Sequence, residues 1–324
     1  MEGQGDKRTA GSDPEDDSRR GKVARLSSPH SPLTPLPRTV PTDITDHRLV
    51  EEINQKLKSI REGSEADPEL TVSKYLGHWL RVAARKNKEE IFHILLRYSE
   101  LDVNEVDHKM TTALMLACHS GSEELVKAIL KNPRFDVTLR DRTGHSCLHY
   151  AVKSKKLQVV ELLLADGRID INVPNISGVT AFMMACIDGS LQIMQRLLRC
   201  QDQNLDVNCA DKNGGDTPLL HAVVGGFEAI VSELLVTPGI ALNKPNDNGD
   251  TALMCAANDG HDEIVRQLLE RPEVEVNASN VDKYTSLMCA CDKGNTRAVQ
   301  LLLEHPKIDI NLKVRLFSPF RIYC

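Results

Sequence analysis

From about residue 73 onward, apolar positions recur at helical spacing, pause, and recur again, in a unit that returns every 34 residues. Thr251–Asn277 shows the unit most cleanly. Thr251 is suited to cap a helix, because its hydroxyl can accept an N–H that the first turn leaves unpaired. Leu253, Ala256 and Ala257 then share one face of a short helix, and Gly260 ends it where a left-handed residue costs least. Ile264, Val265, Leu268 and Leu269 mark a second helix with an i, i+4 stripe, which Pro272 cannot continue. The E-V-E-V-N segment that follows is extended, and N-D-N-G-D before Thr251 has turn chemistry with Gly249 at the bend. The unit reads as helix, turn, helix and a hairpin-like finger. Two such short helices cannot bury their own apolar faces, so each unit needs neighbours.

Seven units fall into one register. The capping slot holds His78, Thr112, Ser146, Thr180, Thr217, Thr251 and Thr285, at spacings of 34 with a single 37. An Ala slot follows five residues later, from Ala83 to Ala290, without a break. Apolar pairs mark the second helices, from Leu95/Leu96 to Leu302/Leu303. The irregular spacing comes from C-Q-D-Q-N, which lengthens the loop after Leu198, and from the Gly214-Gly215 pair in the next finger. Loops are where a stacked solenoid tolerates insertions.

The T-P-L-L-H-A run of Thr217–Ala222, the glycines Gly121, Gly189, Gly226, Gly260 and Gly294, and the D-V-N or D-I-N endings resemble ankyrin repeats. The resemblance covers residues 73–311. It departs from the family in its period of 34, against about 33. The motif's Pro occurs only at Pro218 and its His only at His149. The implied fold is an all-α ankyrin-repeat solenoid of about seven helix-turn-helix units with hairpin-like fingers, the first unit degenerate as a terminal capping repeat should be.

The remaining chain divides by composition. Residues 1–44 read as a disordered arm with Ser and Pro, in which Ser28, Ser31 and Thr34 each precede a proline and are candidate phosphorylation sites. R-R-G-K-V-A-R at Arg19–Arg25 reads either as a nuclear-import signal or as a solvated charge run. Residues 45–63 read as a short helix, capped by Asp46, with Leu49, Ile53, Leu57 and Ile60 in one stripe. That stripe either covers the first repeat or receives a partner. Residues 312–324 leave the repeat pattern, so the last helix pair keeps an exposed apolar face. Either Leu316, Phe317, Phe320 and Ile322 fold back over it, or the chain is a truncated form.

Charge and chemistry narrow the function. A net charge of −6 disfavours a general nucleic-acid or membrane-surface binder. There is no apolar run of membrane-spanning length, roughly 18 residues, and the N-terminus lacks a signal-peptide core. Of the nine cysteines, Cys118, Cys186, Cys255, Cys289 and Cys291 fill small apolar slots beside the Ala row; no metal-ligand spacing emerges, and an odd number of free thiols suits a reducing compartment. No nucleophile-base set and no phosphate-cradling loop emerges, so no enzymatic activity, cofactor or metal is expected. The expectation is a monomeric, cytoplasmic protein, with nuclear entry left open.

The resemblance implies that partner proteins bind the concave face made by finger tips and first helices. The tips carry His108 and Lys109; Arg140, Arg142 and His145; Ile176 and Val179; Lys212 and Asp216; Asp247 and Asp250; Asp282 and Tyr284. They grade from basic through apolar to acidic. A polarised groove that orients an extended partner, its acidic end toward repeats two and three, is the sharper reading; simple variation of exposed tips is the plainer one. Met110 and Lys283 stand where the other fingers have Gly, so these turns either change shape or are locally weak. Family members are also substrates of an asparaginyl hydroxylase at L-x5-D-V-N sites. Asn104, Asn172, Asn277 and Asn311 match that pattern, while Thr138, Asn208 and Asn243 depart from it. The same Asn can instead hydrogen-bond across the finger.

Three functions follow: an intracellular interaction module or scaffold; a transcription-factor regulator resembling inhibitor-of-kappa-B-like proteins, although a paired-serine degradation motif is missing; or an adaptor fragment of a larger protein.

Overall fold

The repeat register becomes a row of antiparallel helix pairs. In this computed structural model, the described residues are 47–62, 68–200 and 204–313. The arm with Ser28, Ser31 and Thr34, the basic cluster Arg19–Arg25, Asp46 and the tail with Leu316, Phe317, Phe320 and Ile322 lie outside them. Helix α1 spans His47–Glu62. The seven pairs are α2 (Pro68–Lys86) with α3 (Glu89–Leu95), α4 (Ala113–Ser120) with α5 (Glu123–Lys131), α6 (Cys147–Lys153) with α7 (Leu157–Leu164), and α8 (Ala181–Ile187) with α9 (Leu191–Leu198). They continue as α10 (Pro218–Val224) with α11 (Glu228–Leu235), α12 (Ala252–Asp259) with α13 (Asp262–Leu269), and α14 (Ser286–Lys293) with α15 (Thr296–Glu304). First helices pack on first helices and second on second, so the stack has an inner and an outer layer.

Local chemistry starts and stops each helix where the pattern places it. Thr112, Thr180, Thr217, Thr251 and Thr285 each accept the backbone N–H three residues on, at 3.2–3.4 Å. Gly121, Gly189, Gly226, Gly260 and Gly294 take positive φ at the turn between the two helices, and Asn87 and Lys155 do the same in the first and third units. Helices this short are marginal alone. Burial supplies what propensity cannot: Ala117, Ala151, Ala185, Ala222, Ala256 and Ala290 are all completely buried, which lets neighbouring inner helices approach closely.

The first unit departs from the expected register. His78 is not a cap but lies inside α2, which runs for 19 residues from Pro68. The spacing argument carried the cap backwards into a unit whose first helix is about twice the usual length. Against α2 lies α1, with Ile53, Leu57 and Ile60 1–3% exposed. The Tyr98 hydroxyl donates to Asn54 at 3.2 Å, and Arg61 pairs with Glu100 at 3.1 Å.

The last described unit is less enclosed. Slots that are buried in inner units are open in the last: Ile171 is 1% exposed, while Ile310 in the same slot is 66% exposed and Leu303 51%.

The fingers are tight turns and not paired strands. Only one isolated bridge, Ser279 to Thr285, occurs among the described residues. In each turn an Asp or Asn side chain accepts at least two backbone N–H groups ahead of it, and Asp211 accepts three. Asp107 takes those of Lys109 and Thr111, Asp141 those of Thr143 and His145, and Asn246 those of Asn248 and Asp250, all at 2.8–3.0 Å. Met110 and Lys283 keep the shape of the glycine turns, with φ of 61° and 67°. Their turns are therefore strained and not reshaped. Lys283→Gly is expected to raise the unfolding free energy by about 1 kcal/mol, measured by chemical denaturation, because no Cβ then opposes the left-handed backbone.

Candidate interaction surface

Finger tips form a continuous tape. The N–H of Arg142 donates to Lys109 C=O, Ile176 to Thr143, Lys212 to Ser177, Asp247 to Gly214 and Val281 to Asn248, at 2.8–3.0 Å. One backbone bond per interface holds each tip at a fixed step from the last, and the extra residue at Gly214-Gly215 does not break the series.

The predicted tip residues divide into two groups on this tape. His108, Lys109, Arg140, Arg142, Ile176, Lys212, Asp247 and Asp282 are exposed. His145, Val179, Asp216, Asp250 and Tyr284 are half-buried, and four of them serve neighbouring repeats. His145 Nε2 accepts from Asn175 Nδ2 (3.1 Å), Asp216 from Asn246 Nδ2 (3.0 Å), and Asp250 from Asn280 Nδ2 (2.8 Å). The Val179 carbonyl accepts from His149 Nε2 (3.0 Å). Arg140 is exposed but donates to Pro174 C=O at 2.9 Å.

The asparagine slot also bridges repeats. Asn104, Asn172 and Asn277 donate through Nδ2 to the carbonyls of Arg134, Asn204 and Lys307, and accept through Oδ1 from the N–H of Asp136, Asp206 and Asp309, at 2.7–2.9 Å. Asn208 and Asn243, which lack the full sequence pattern, make the same paired bonds. Asn311 ends the row in an exposed position.

A second row, on the inner helices, runs alongside the tips. One slot near the C-terminal end of each first helix holds Arg85, His119 and Lys153, then Ile187 and Val224, then Asn258 and Asp292. Ile187 is 38% and Val224 54% exposed, and Ile176, on the fingertip of Ile187's repeat, is 64% exposed. The row grades from basic through aliphatic to polar and acidic, in the same order as the tips. Exposed Asp259 adds to the acidic end, while Lys212, Lys283 and Lys293 interrupt it. Reading this slot in register would have found the row in the sequence, had the open face of the helix been known.

Titratable groups in the basic half are tied into the turns. Burial disfavours ionised Asp141, but Thr143, the His145 N–H and Tyr150 all donate to it and together bring its pKa below the ordinary carboxylate value. Asp211, Asp216 and His221 bring three ligand-capable atoms within 4.8 Å of one another. Each already has an internal role: Asp211 closes its turn and faces His221 Nε2 at 3.1 Å, and Asp216 holds Asn246. The Cys255 and Cys289 thiols are poor nucleophiles, since burial raises them to about 12 and about 11. Among the described residues, no helix is long and apolar enough to cross a membrane.

A stack of capped helix pairs, edged by linked turns and open along one inner face, defines a repeat protein of the interaction type. The family model described as ankyrin repeats (3 copies) matches residues 80–175, 167–246 and 230–314. The chain belongs to the ankyrin-repeat family, whose repeats are protein–protein interaction modules. Among solved structures, it is similar to the ankyrin repeat domain of Bcl-3, described as a unique member of the IkappaB protein family. That match has 23% identity and a TM-score of 0.60, and covers 69% of this chain and 97% of that one. At this identity the likeness concerns the fold. No curated protein sequence matches the chain significantly.

Proposed function

We propose that this protein is an interaction module or scaffold that holds an extended partner on its concave face, with the partner's acidic end toward repeats two and three. The agreement between two separate rows supports this reading: fingertips and inner helices change character in the same order along the stack. Chance variation of exposed positions would not couple a turn to a helix slot one layer away. Charge ordering of this kind steers encounter and fixes register more than it adds affinity.

A photo-crosslinking residue at Ile187, on the inner layer, is expected to capture partners that the same residue at exposed Ser232, on the outer helix α11, does not. Equal capture at both positions would refute the concave site. With a captured partner in hand, Lys109→Glu combined with Arg142→Glu is expected to weaken binding roughly tenfold and to reduce its salt dependence. Arg140 is left intact in that test because its guanidinium supports the Pro174 carbonyl.

A further inference from the structure

The inner row specifies more than polarity. Ile187 and Val224 are the fourth and fifth of seven equivalent positions, so an aliphatic step lies near the centre of the groove with charge of opposite sign on its two sides. Side chains in this slot lie beyond the Ala row that brings the inner helices together; of them, His119 also bonds Ser154 Oγ of the next repeat at 2.6 Å and Asn258 donates to Asp259 at 2.8 Å. At about 8–10 Å between packed helices, the distance from Arg85 to Asp292 is roughly 55 Å. An extended chain advances about 3.3 Å per residue, so a partner segment of roughly 17 residues would span it.

We infer that the groove takes a single extended protein segment with a defined order: a cluster of acidic residues, then a pair of large aliphatic residues, then basic residues. The acidic cluster lies over Lys153, His119 and Arg85, flanked by Lys109 and Arg142. The aliphatic pair sits on Ile187 and Val224, with Ile176 at its edge. The basic residues face Asp292, Asp259 and the tips Asp247 and Asp282. Lys212, exposed on the fingertip of the same repeat as Val224, disfavours basic residues there. This inference rests on the concave face being the binding surface, and it adds the order and spacing of the partner's side chains.

The order is what a nonspecific groove would not read. A helix or folded domain of the same composition would present its charges on a different repeat. A 17-residue helix, rising about 1.5 Å per residue, would reach only about half of the row. The segment's aliphatic pair must also be bracketed at close range, because His119 and Lys153 lie only one or two helices from Ile187.

Three 17-residue peptides test this, titrated onto the full chain by fluorescence anisotropy at low salt. One carries four glutamates, a central pair of leucines two residues apart, so that both face the groove, and four lysines, separated by Ser and Thr; the second has the same composition with the charges interleaved; the third keeps the charge blocks but moves the Leu pair to one end. The first is expected to bind at least tenfold more tightly than either of the others. Ile187→Asp is expected to remove most of its advantage over the third peptide, and Lys153→Glu its advantage over the second. Equal binding of all three, each weakened by Ile187→Asp, would overturn the ordered segment and leave the concave site standing. Binding unaffected by either substitution, or no binding at all, would overturn the inference, and the crosslinking comparison decides separately whether the concave face is used.

Discussion

Ile171→Ala is expected to lower the unfolding free energy by about 2–5 kcal/mol, and Ile310→Ala by less than about 0.5 kcal/mol. The two residues are the same type in the same slot of the unit, in D-I-N segments of repeats three and seven. Their surroundings differ. Ile171 is enclosed by the next repeat and 1% exposed, so truncation leaves a cavity between two layers. Ile310 is 66% exposed, so the same truncation removes groups that already face solvent. Chemical denaturation of the two variants beside the parent chain checks this. Equal losses would mean that something covers the last face in solution.

The second large effect is a pH dependence centred on His149. This imidazole is 1% exposed. Its Nδ1 accepts the N–H of Ser146 at 3.2 Å, which places the proton on Nε2, and Nε2 donates to the Val179 carbonyl of the next repeat at 3.0 Å. Burial lowers its pKa from 6.5 to about 4; the bond to Val179 opposes that shift, and the charges of His145 and Arg140 add to it. In the unfolded chain the ring takes up a proton near its ordinary value, whereas in the folded chain it stays neutral until about pH 4. Between these values the unfolded state binds more protons, so stability falls as pH falls through this window and levels off below it. The contribution amounts to about 3 kcal/mol across the window. His149→Gln can still donate to Val179 but does not titrate. The stability difference between parent and variant is therefore expected to shrink by about that amount from pH 7 to pH 4. A difference that stays constant with pH would show that burial does not hold the ring neutral.

These two predictions draw on different depths of the sequence. The slot shared by Ile171 and Ile310 was legible from spacing alone, but the difference between them was not, because it depends on whether another layer follows. His149 was readable as the histidine of the repeat motif, while its hold on the Val179 carbonyl crosses 30 residues of chain. The tips show the same division. Arg142, Ile176 and Asp247 are exposed where the pattern places them, but Asp216, Asp250 and His145, equally polar in sequence, also hold the next finger's amide. Composition does not distinguish a polar side chain facing a partner from one facing its own neighbour. His78 shows the opposite limit: a slot extended by counting fell inside a longer helix.

The sequence by itself determined the unit: Thr caps, left-handed glycines, the Ala row and the paired Leu positions are each set by chemistry within a few residues, and their repetition dictates a stack. The tertiary structure decided which faces the stack leaves open. That depends on contacts between residues about one repeat apart, which no local pattern encodes, and it is what turns Arg85, Lys153, Ile187, Val224 and Asp292 from scattered side chains into one graded surface.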